Sequence, residues 1–496
     1  YAHVSGEVAV ANLHVGPGLG NGLGSLYNAW EGQTPLIVTA GQQDNRMRLR
    51  DPLLGHDLVA MAEPLVKWSV QVESADEMAL IMHRAFKTAR ETPSGPVFVS
   101  LPINVMEQQT HLAPIAPSVL YSRTPPDPDG ISQAAAMLRG ANNPTIIYGD
   151  KVARSGGLDA LVALAELAGA TVFAEVLPSH VSFPSQHPQF RGRIAQDHGQ
   201  IRGVLGETDV VLLAGGEFFE EIWFDDAHPF PDTASIIQID PSPANLGKNL
   251  RVDCGVLSDP ALALEALKNE LAAQVDDGYH QGASARKQAL SERKEAEWEA
   301  QMAKATAQPG NQPMAVAALM AALKDSLPKG VSIAGEPISA GIDMLRTLSF
   351  EQSGDYLAAR GGGIGQGLPS TIGMKLAMPE RPVLCLSGDG SSLYTIQTLW
   401  SAAHHNIPVV FLIINNRAYR ILKLNMNRYR RGAKLADRGY QHLDISEPLV
   451  DFVSIAKGFG LQAVKVEAAE DVGPAIERAF ASGEPWLIDA VVDGAL

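Results

Sequence analysis

Two short runs hold side chains able to bind a metal ion and a phosphate together: Gly388-Asp389-Gly390, and Asn415-Asn416, with Asn416 27 positions after Asp389. Each follows an apolar stretch, Val383 to Leu386 and Val409 to Ile414, that reads as a buried strand. The segment between them, apolar at Leu393, Ile396, Leu399 and Trp400, reads as a helix, which makes the whole a βαβ unit. In such a unit the strands are parallel, so Asp389 and Asn416 emerge together at the carboxyl edge of the sheet, where open α/β sheets bind ligands. One carboxylate, one carboxamide and a nearby backbone carbonyl form an oxygen-only site. It suits magnesium better than zinc, and magnesium held by so few protein groups completes its shell with phosphate oxygens. The glycines let backbone approach a phosphate, and the following helix start favours its charge. Gly-Asp-Gly alone is also an ordinary turn with Asp389 as a turn or N-cap residue; the pairing with Asn416 across the crossover is what points to a metal.

The elements that must position these groups belong to a long chain. Its 496 residues exceed one ordinary core and predict two or three domains. Apolar residues at 46% and charged ones at 19% are ordinary for a globular enzyme. A formal net charge of −16 argues against nucleic acid and anionic membrane surfaces as partners. Cys254 and Cys385 stand in separate apolar contexts, so neither a disulfide framework nor a zinc site is implied, and a reducing cytoplasm fits. No apolar run approaches the roughly 20 residues needed to span a bilayer. Tyr1-Ala2-His3 enters a strand within a few residues with no element before it, which reads as a truncated start.

In chain order, strand Val8 to Leu13 ends at His14, and a glycine-rich turn, Gly16 to Gly24, opens a helix through Trp30. The alternating glycines do not match the dinucleotide fingerprint, and no acidic residue follows at the ribose position. Strands at Pro35 to Ala40 and Val97 to Leu101 and a helix at Ala75 to Arg90 complete a first α/β domain. Pro114 to Pro128 reads as a linker. A second α/β domain has strands Thr145 to Tyr148, Thr171 to Ala174, Val210 to Leu213 and Ser235 to Ile239, with a helix Leu158 to Ala168. Its turn Ala214-Gly215-Gly216-Glu217 reads first as a strand-to-loop turn and second as a seat for a diphosphate. Gln281 to Gln308 reads as a charged helix, with Pro309-Gly310 a connector. Helix Met314 to Ser326, strand Val331 to Ile333 and Gly361-Gly362-Gly363-Ile364-Gly365, leading into a helix through Leu376, belong to a third. The expected architecture is α/β, three doubly wound parallel-sheet domains at 1–112, 129–275 and 311–496.

The run NLHVGPGLGNGLGSLYNAWEGQTPLIVTAGQQ, then PLVKWS, the GGGIG loop and the GDG-to-NN unit occur in that order. Together they resemble the thiamine-diphosphate (ThDP) dependent enzymes, nearest benzoylformate decarboxylase and acetolactate-synthase-like proteins, over essentially the whole chain. The resemblance implies pyrimidine-binding, middle and diphosphate-binding domains and active sites built between subunits of a homodimer or homotetramer. It implies ThDP and magnesium as cofactors and a small-molecule 2-oxo acid as substrate. It assigns the metal to Asp389, Asn416 and the Ala418 carbonyl, and the diphosphate to Gly388, Gly390, Ser391, Ser339 and Tyr419. Ile364 matches the apolar wedge that keeps ThDP bent, and Gly362 the carbonyl that meets its pyrimidine. Ile364 also reads as a core residue at a helix start, although a run of glycines is an odd place for core. His14 matches a histidine that handles protons at the substrate; a histidine at a strand end also serves structural roles. His404 and His405 read as structural or surface residues.

The sequence departs from that pattern in three places. The activating glutamate lies on the segment before Tyr1 and is absent here, so the expectation for this polypeptide is poor ThDP binding and slow turnover. A second family histidine falls at Gln312. Ile421 and Asn425 stand where the benzoylformate enzyme lines an aromatic pocket, and the NNRAYRIL wording leans toward the acetolactate-synthase-like branch. The leading expectation is non-oxidative decarboxylation of a 2-oxo acid to an aldehyde and carbon dioxide. The alternatives are an acetolactate-synthase-type carboligase and a non-catalytic ThDP-binding subunit. Whether FAD occupies the middle domain is left open.

Overall fold

The computed structural model describes residues 1–307, 310 and 312–495. Gln308 and Pro309, and the expected domain limits at 311 and 496, lie outside the described residues. The chain divides into two compact units: residues Tyr1–Arg123 with Ala359–Gly363, and the remainder.

The first unit is built on a four-stranded sheet of β1 (Ala9–Leu13), β2 (Leu36–Gln42), β3 (Ser69–Gln71) and β4 (Pro96–Pro102), in the order β1-β2-β4-β3 and parallel throughout. A helical turn, Ala2–Ser5, precedes β1, where none was expected. The glycine-rich stretch expected as a turn lies inside a helix, Val15–Glu31. Close packing explains why glycines are tolerated there: a Cβ on Gly18 would sit 3.1 Å from His14 Cβ, and one on Gly22 would sit 3.0 Å from Leu13 Cδ1. The helix therefore lies against the end of β1 that a bulkier sequence would hold off.

The second unit carries two six-stranded parallel sheets. One holds β5 (Pro144–Tyr148), β6 (Thr171–Ala174), β7 (Phe190–Arg193), β8 (Val210–Ala214), β9 (Ser235–Asp240) and β10 (Cys254–Leu257), in the order β10-β9-β8-β5-β6-β7. The other holds β11 (Ser332–Glu336), β12 (Tyr356–Ala358), β13 (Val383–Gly388), β14 (Val410–Asn415), β15 (Gln462–Val466) and β16 (Trp486–Val491), in the order β12-β11-β13-β14-β16-β15. Every residue of β5, β8, β11, β14 and β16 is buried. Burial on both faces is what near-continuous apolar runs produce when helices cover a parallel sheet. The three-sheet α/β architecture agrees with the expectation from the sequence.

The proline-rich stretch after residue 112 has no secondary structure until helix Pro128–Gly140 begins. The charged segment beyond it is part of a 30-residue helix, Asp277–Thr306, whose side chains are mostly solvated. No helix among the described residues is long and apolar enough to cross a membrane. Direction reverses twice in the second unit. The chain runs β5 to β6 to β7 and returns to place β8 on the other side of β5; it runs β11 to β12 and returns to place β13 on the other side of β11. Such switch points open crevices at the carboxyl ends of the strands.

Candidate functional site

Asp389 sits at the second of these switch points. β13 pairs with β11 on one side and β14 on the other, with Ser387 opposite Glu336 and Gly388 opposite Ile414, so the chain leaves the sheet at Asp389 between the two. The continuous helix expected after it is broken into two short ones, Asp389–Leu393 and Thr398–His404. The Asp389 side chain is 3% exposed. Its Oδ1 accepts from the Gly390 N–H at 2.8 Å, while its buried Oδ2 has no hydrogen-bond partner. Burial pushes its pKa up to about 6, against the pull of N–H groups from Gly390, Arg417 and Ala418. A buried carboxylate with one oxygen unsatisfied is costly unless a cation or donor completes it.

The two asparagines divide their work. Asn415 turns into the sheet edge, donating to Asp489 Oδ1 at 2.9 Å, whereas Asn416 Oδ1 accepts from the Ala418 N–H at 3.0 Å. Arg417, between Asn416 and Ala418, has φ of +59°, which reverses the backbone sharply. Ala418 lies opposite Asp444 in an antiparallel bridge whose hydrogen bonds are made by its neighbours: Tyr419 N–H to Leu443 O at 2.8 Å, and Ile445 N–H to Arg417 O at 2.8 Å. Alternation along the strand directs the Ala418 carbonyl away from that segment, toward the side on which its own N–H meets Asn416. One carboxylate oxygen, one amide oxygen and one carbonyl thus gather in a single loop cluster. No group of three His, Cys, Asp or Glu side chains able to hold a metal occurs among the described residues. The donor set is hard oxygen, as magnesium requires.

The candidate phosphate contacts surround this cluster. A Cβ on Gly390 would stand 2.5 Å from Tyr419 Cε1 and 3.2 Å from Ile445 Cδ1, so glycine is what lets the turn lie against the Tyr419 ring. Burial and the nearby Tyr394 and Asp389 raise the Tyr419 phenol pKa. Ser391 is buried, while Ser339 is half-buried in a short turn, Ile338–Ala340, packed against helix Arg420–Gly432. Ile338, just before Ser339, has φ of +43°, a rare conformation for a β-branched residue. Ile364 is 37% exposed, which removes the reading of it as core. Ile421 and Asn425 are half-buried and one helical turn apart on Arg420–Gly432, so they share a face.

His14 and Gly362 belong to the first unit. His14 is exposed at the start of helix Val15–Glu31, makes no capping bond, and its ring has no partner among the described residues. Val15 after it has φ of +39°. A structural histidine would be tied down; this one is not. Gly362 has φ of +78° in an exposed turn. Its neighbour Gly363 is held at both ends by buried Asn28, which accepts from the Gly363 N–H at 2.9 Å and donates to its carbonyl at 2.7 Å. His404 stacks on Trp400 with ring centroids 4.6 Å apart.

The sequence reading passed over Asn28 and Glu336. Asn28 shares its helix face with Asn21, Gly24, Ser25 and Glu31, which carries no sign of burial, and the only sign of Glu336 is a glutamate closing an apolar strand.

Comparison with known proteins gives the family. Residues 339–490 match the thiamine pyrophosphate enzyme C-terminal TPP binding domain, 131–267 the central domain and 1–61 the N-terminal TPP binding domain. The chain belongs to the thiamine pyrophosphate enzyme family. It is 29% identical to benzoylformate decarboxylase of Pseudomonas aeruginosa over 99% of this chain and 88% of that protein. It is 27% identical to acetolactate synthase 2, chloroplastic, of Zea mays over 99% of this chain and 76% of that protein. The solved structure of the thiamine diphosphate-dependent 4-hydroxybenzoylformate decarboxylase of Rhodococcus jostii superposes with a TM-score of 0.82 at 27% identity, covering 99% of this chain and 89% of that one. The unsatisfied Asp389 Oδ2 and the tight Gly390 turn fit the diphosphate and divalent cation of that cofactor.

Proposed function

We propose that this protein is a ThDP- and magnesium-dependent 2-oxo acid decarboxylase of the benzoylformate-decarboxylase kind, releasing an aldehyde and carbon dioxide. The observation that carries the reading is the buried, unsatisfied Asp389 oxygen beside Asn416 and the Ala418 carbonyl. When bound, ThDP supplies a thiazolium that accepts the electron pair left as carbon dioxide departs. The chain's own residues do the rest. Asp389, Asn416 and the Ala418 carbonyl hold magnesium; Gly388, Gly390, Ser391, Ser339 and Tyr419 line the diphosphate. Ile364, which is exposed, would pack against the cofactor, and the Gly362 carbonyl would be offered to its pyrimidine. His14, exposed and untied, moves a proton at the substrate carbonyl. Ile421 and Asn425 border the substrate's side chain. A bulky branch and an amide narrow that pocket and select against the largest aryl groups.

An acetolactate-synthase-type carboligase is the second reading, supported by the similarity to the maize enzyme over nearly the whole chain. The two differ in whether a proton or a second carbonyl is met after decarboxylation. We place the enzyme in the cytoplasm as a homodimer or homotetramer. A panel of 2-oxo acids with ThDP and magnesium, read by product identity, tests the assignment. Aldehydes support the decarboxylase, and hydroxyketones from pyruvate at comparable rates overturn it in favour of the carboligase.

A further inference from the structure

Glu336 ends β11 at the switch point, opposite Ser387 of β13. It is 5% exposed, and both its oxygens are engaged by one loop. Oε1 accepts from the Gly365 N–H at 2.7 Å and Oε2 from the Gly367 N–H at 2.7 Å. The Gln366 N–H and the Ser391 hydroxyl lie near enough to this carboxylate to pull its pKa down. Two backbone donors of one loop, at 365 and 367, therefore converge on one side chain. They open helix Gly367–Ala377, whose first N–H groups have no partner within the helix. The fit is close: a Cβ on Gly367 would stand 2.9 Å from Glu336 Cβ. The loop is pinned from its other side as well, because Thr395 Oγ1 donates to the Gly365 carbonyl at 2.6 Å. Gly365 itself has φ of +95°, a conformation that a side chain would strain.

One candidate cofactor contact hangs on this carboxylate: Ile364 immediately precedes Gly365 and is exposed. We propose that Glu336 is a positioning residue for the cofactor. It fixes the Gly365–Gly367 backbone so that Ile364 is presented at one height, without touching the cofactor itself. This rests on the ThDP reading above. Glutamate is needed because both oxygens must accept. A glutamine offers one acceptor and one donor, so one of the Gly365 and Gly367 N–H groups faces an N–H and the loop shifts. Burial raises the Glu336 pKa, and the converging donors oppose that rise.

The test is direct titration of cofactor-free protein with ThDP in the presence of magnesium, by calorimetry, alongside thermal melts of the same cofactor-free samples. Glu336→Gln weakens ThDP binding by about 10- to 100-fold, the range seen when groups that orient ligand-binding residues are removed. Glu336→Asp, which keeps two acceptors on a shorter arm, recovers part of the loss. Thr395→Val, a mild change at a half-buried position, weakens binding by a smaller factor through the same loop and decides the matter if Glu336→Gln does not fold. A merely structural carboxylate gives a lower melting temperature with ThDP affinity unchanged, and that result overturns the proposal. So does unchanged affinity in Thr395→Val. Failure of the unsubstituted protein to bind ThDP sinks the cofactor reading itself, and is told apart because it needs no variant.

Discussion

The Ala418 N–H ties Asn416 to Asp389, 27 residues earlier in the chain: it donates to Asn416 Oδ1 at 3.0 Å and stands near enough to the Asp389 carboxylate to pull its pKa down against burial. The two ends of the crossover therefore lie close together. What they leave open there is Asp389 Oδ2.

Asp389→Asn should therefore separate binding from stability. Removing the charge removes the magnesium ligand, and the stabilisation that ThDP and magnesium give the wild-type protein, about 2.7 kcal/mol with ligand near 100 times its Kd, should vanish. Without cofactor the variant should melt no lower than wild type, because a buried unsatisfied charged oxygen costs about 1–3 kcal/mol. Melts with and without ThDP and magnesium check both halves. A full cofactor-induced shift in the variant would falsify the metal assignment.

His14→Ala should lower kcat by about 100- to 10,000-fold, the usual range for a proton-transfer group, with cofactor content unchanged. The imidazole has no partner among the described residues, so its removal should leave the melting temperature within about 0.5 kcal/mol of wild type in stability. Steady-state kinetics beside a thiochrome assay of bound thiamine separates the two effects. Joint loss of turnover and cofactor would make His14 a structural residue.

Much of this was legible in the sequence. The Gly-Asp-Gly and Asn-Asn runs could be paired because parallel strands force their carboxyl ends to the same edge, and β13 and β14 are unbroken apolar runs. The break between helices Asp389–Leu393 and Thr398–His404 was hidden, since apolar residues at 393, 396, 399 and 400 suit one helix equally well. β3, β7, β12 and β15 were missed because they are short or only partly buried, and β10 because its burial alternates; β16 was missed although it is a fully buried, mostly apolar run. Glu336 was illegible for another reason. Its partners lie 29 and 31 residues ahead, and a glutamate ending a strand carries no local sign of which backbone it will hold. The left-handed conformations at Val15, Ile338 and Arg417 likewise contradict local preference and come from tertiary context.

The middle sheet's switch point should stay free of flavin or adenine nucleotide. The N–H groups a diphosphate would use are taken by Glu175, whose Oε1 accepts from Asp150 at 3.0 Å and Oε2 from Glu217 at 2.8 Å. Lys151, 6% exposed, is spent on Asp240 Oδ2 at 2.8 Å and Glu217 Oε1 at 2.7 Å. Asp240→Ala leaves the buried Lys151 with Glu217 alone and should destabilise the protein in chemical denaturation, by less than the roughly 3–5 kcal/mol of a fully unpaired buried charge. A yellow purified protein, or a melting shift with FAD or ADP, would show that this crevice opens.

Lys67 gives the stability a sign with pH. Its ammonium donates to the Thr88 and Glu91 carbonyls at 2.6 and 2.8 Å, but burial lowers its pKa to about 8 from 10.5, with Glu91 pulling the other way. Between those values the unfolded chain binds more protons at this residue than the folded one, so the contribution of Lys67 to stability rises with pH across the window. Below about 8 both states carry the charge and the burial cost is paid in full; above 10.5 neither does and the cost is gone. Compared with Lys67→Met, the wild-type protein should gain stability as pH is raised from below 8 toward 10.5. Denaturant midpoints for the two proteins over that range measure it, and parallel curves would show that the lysine reaches water freely.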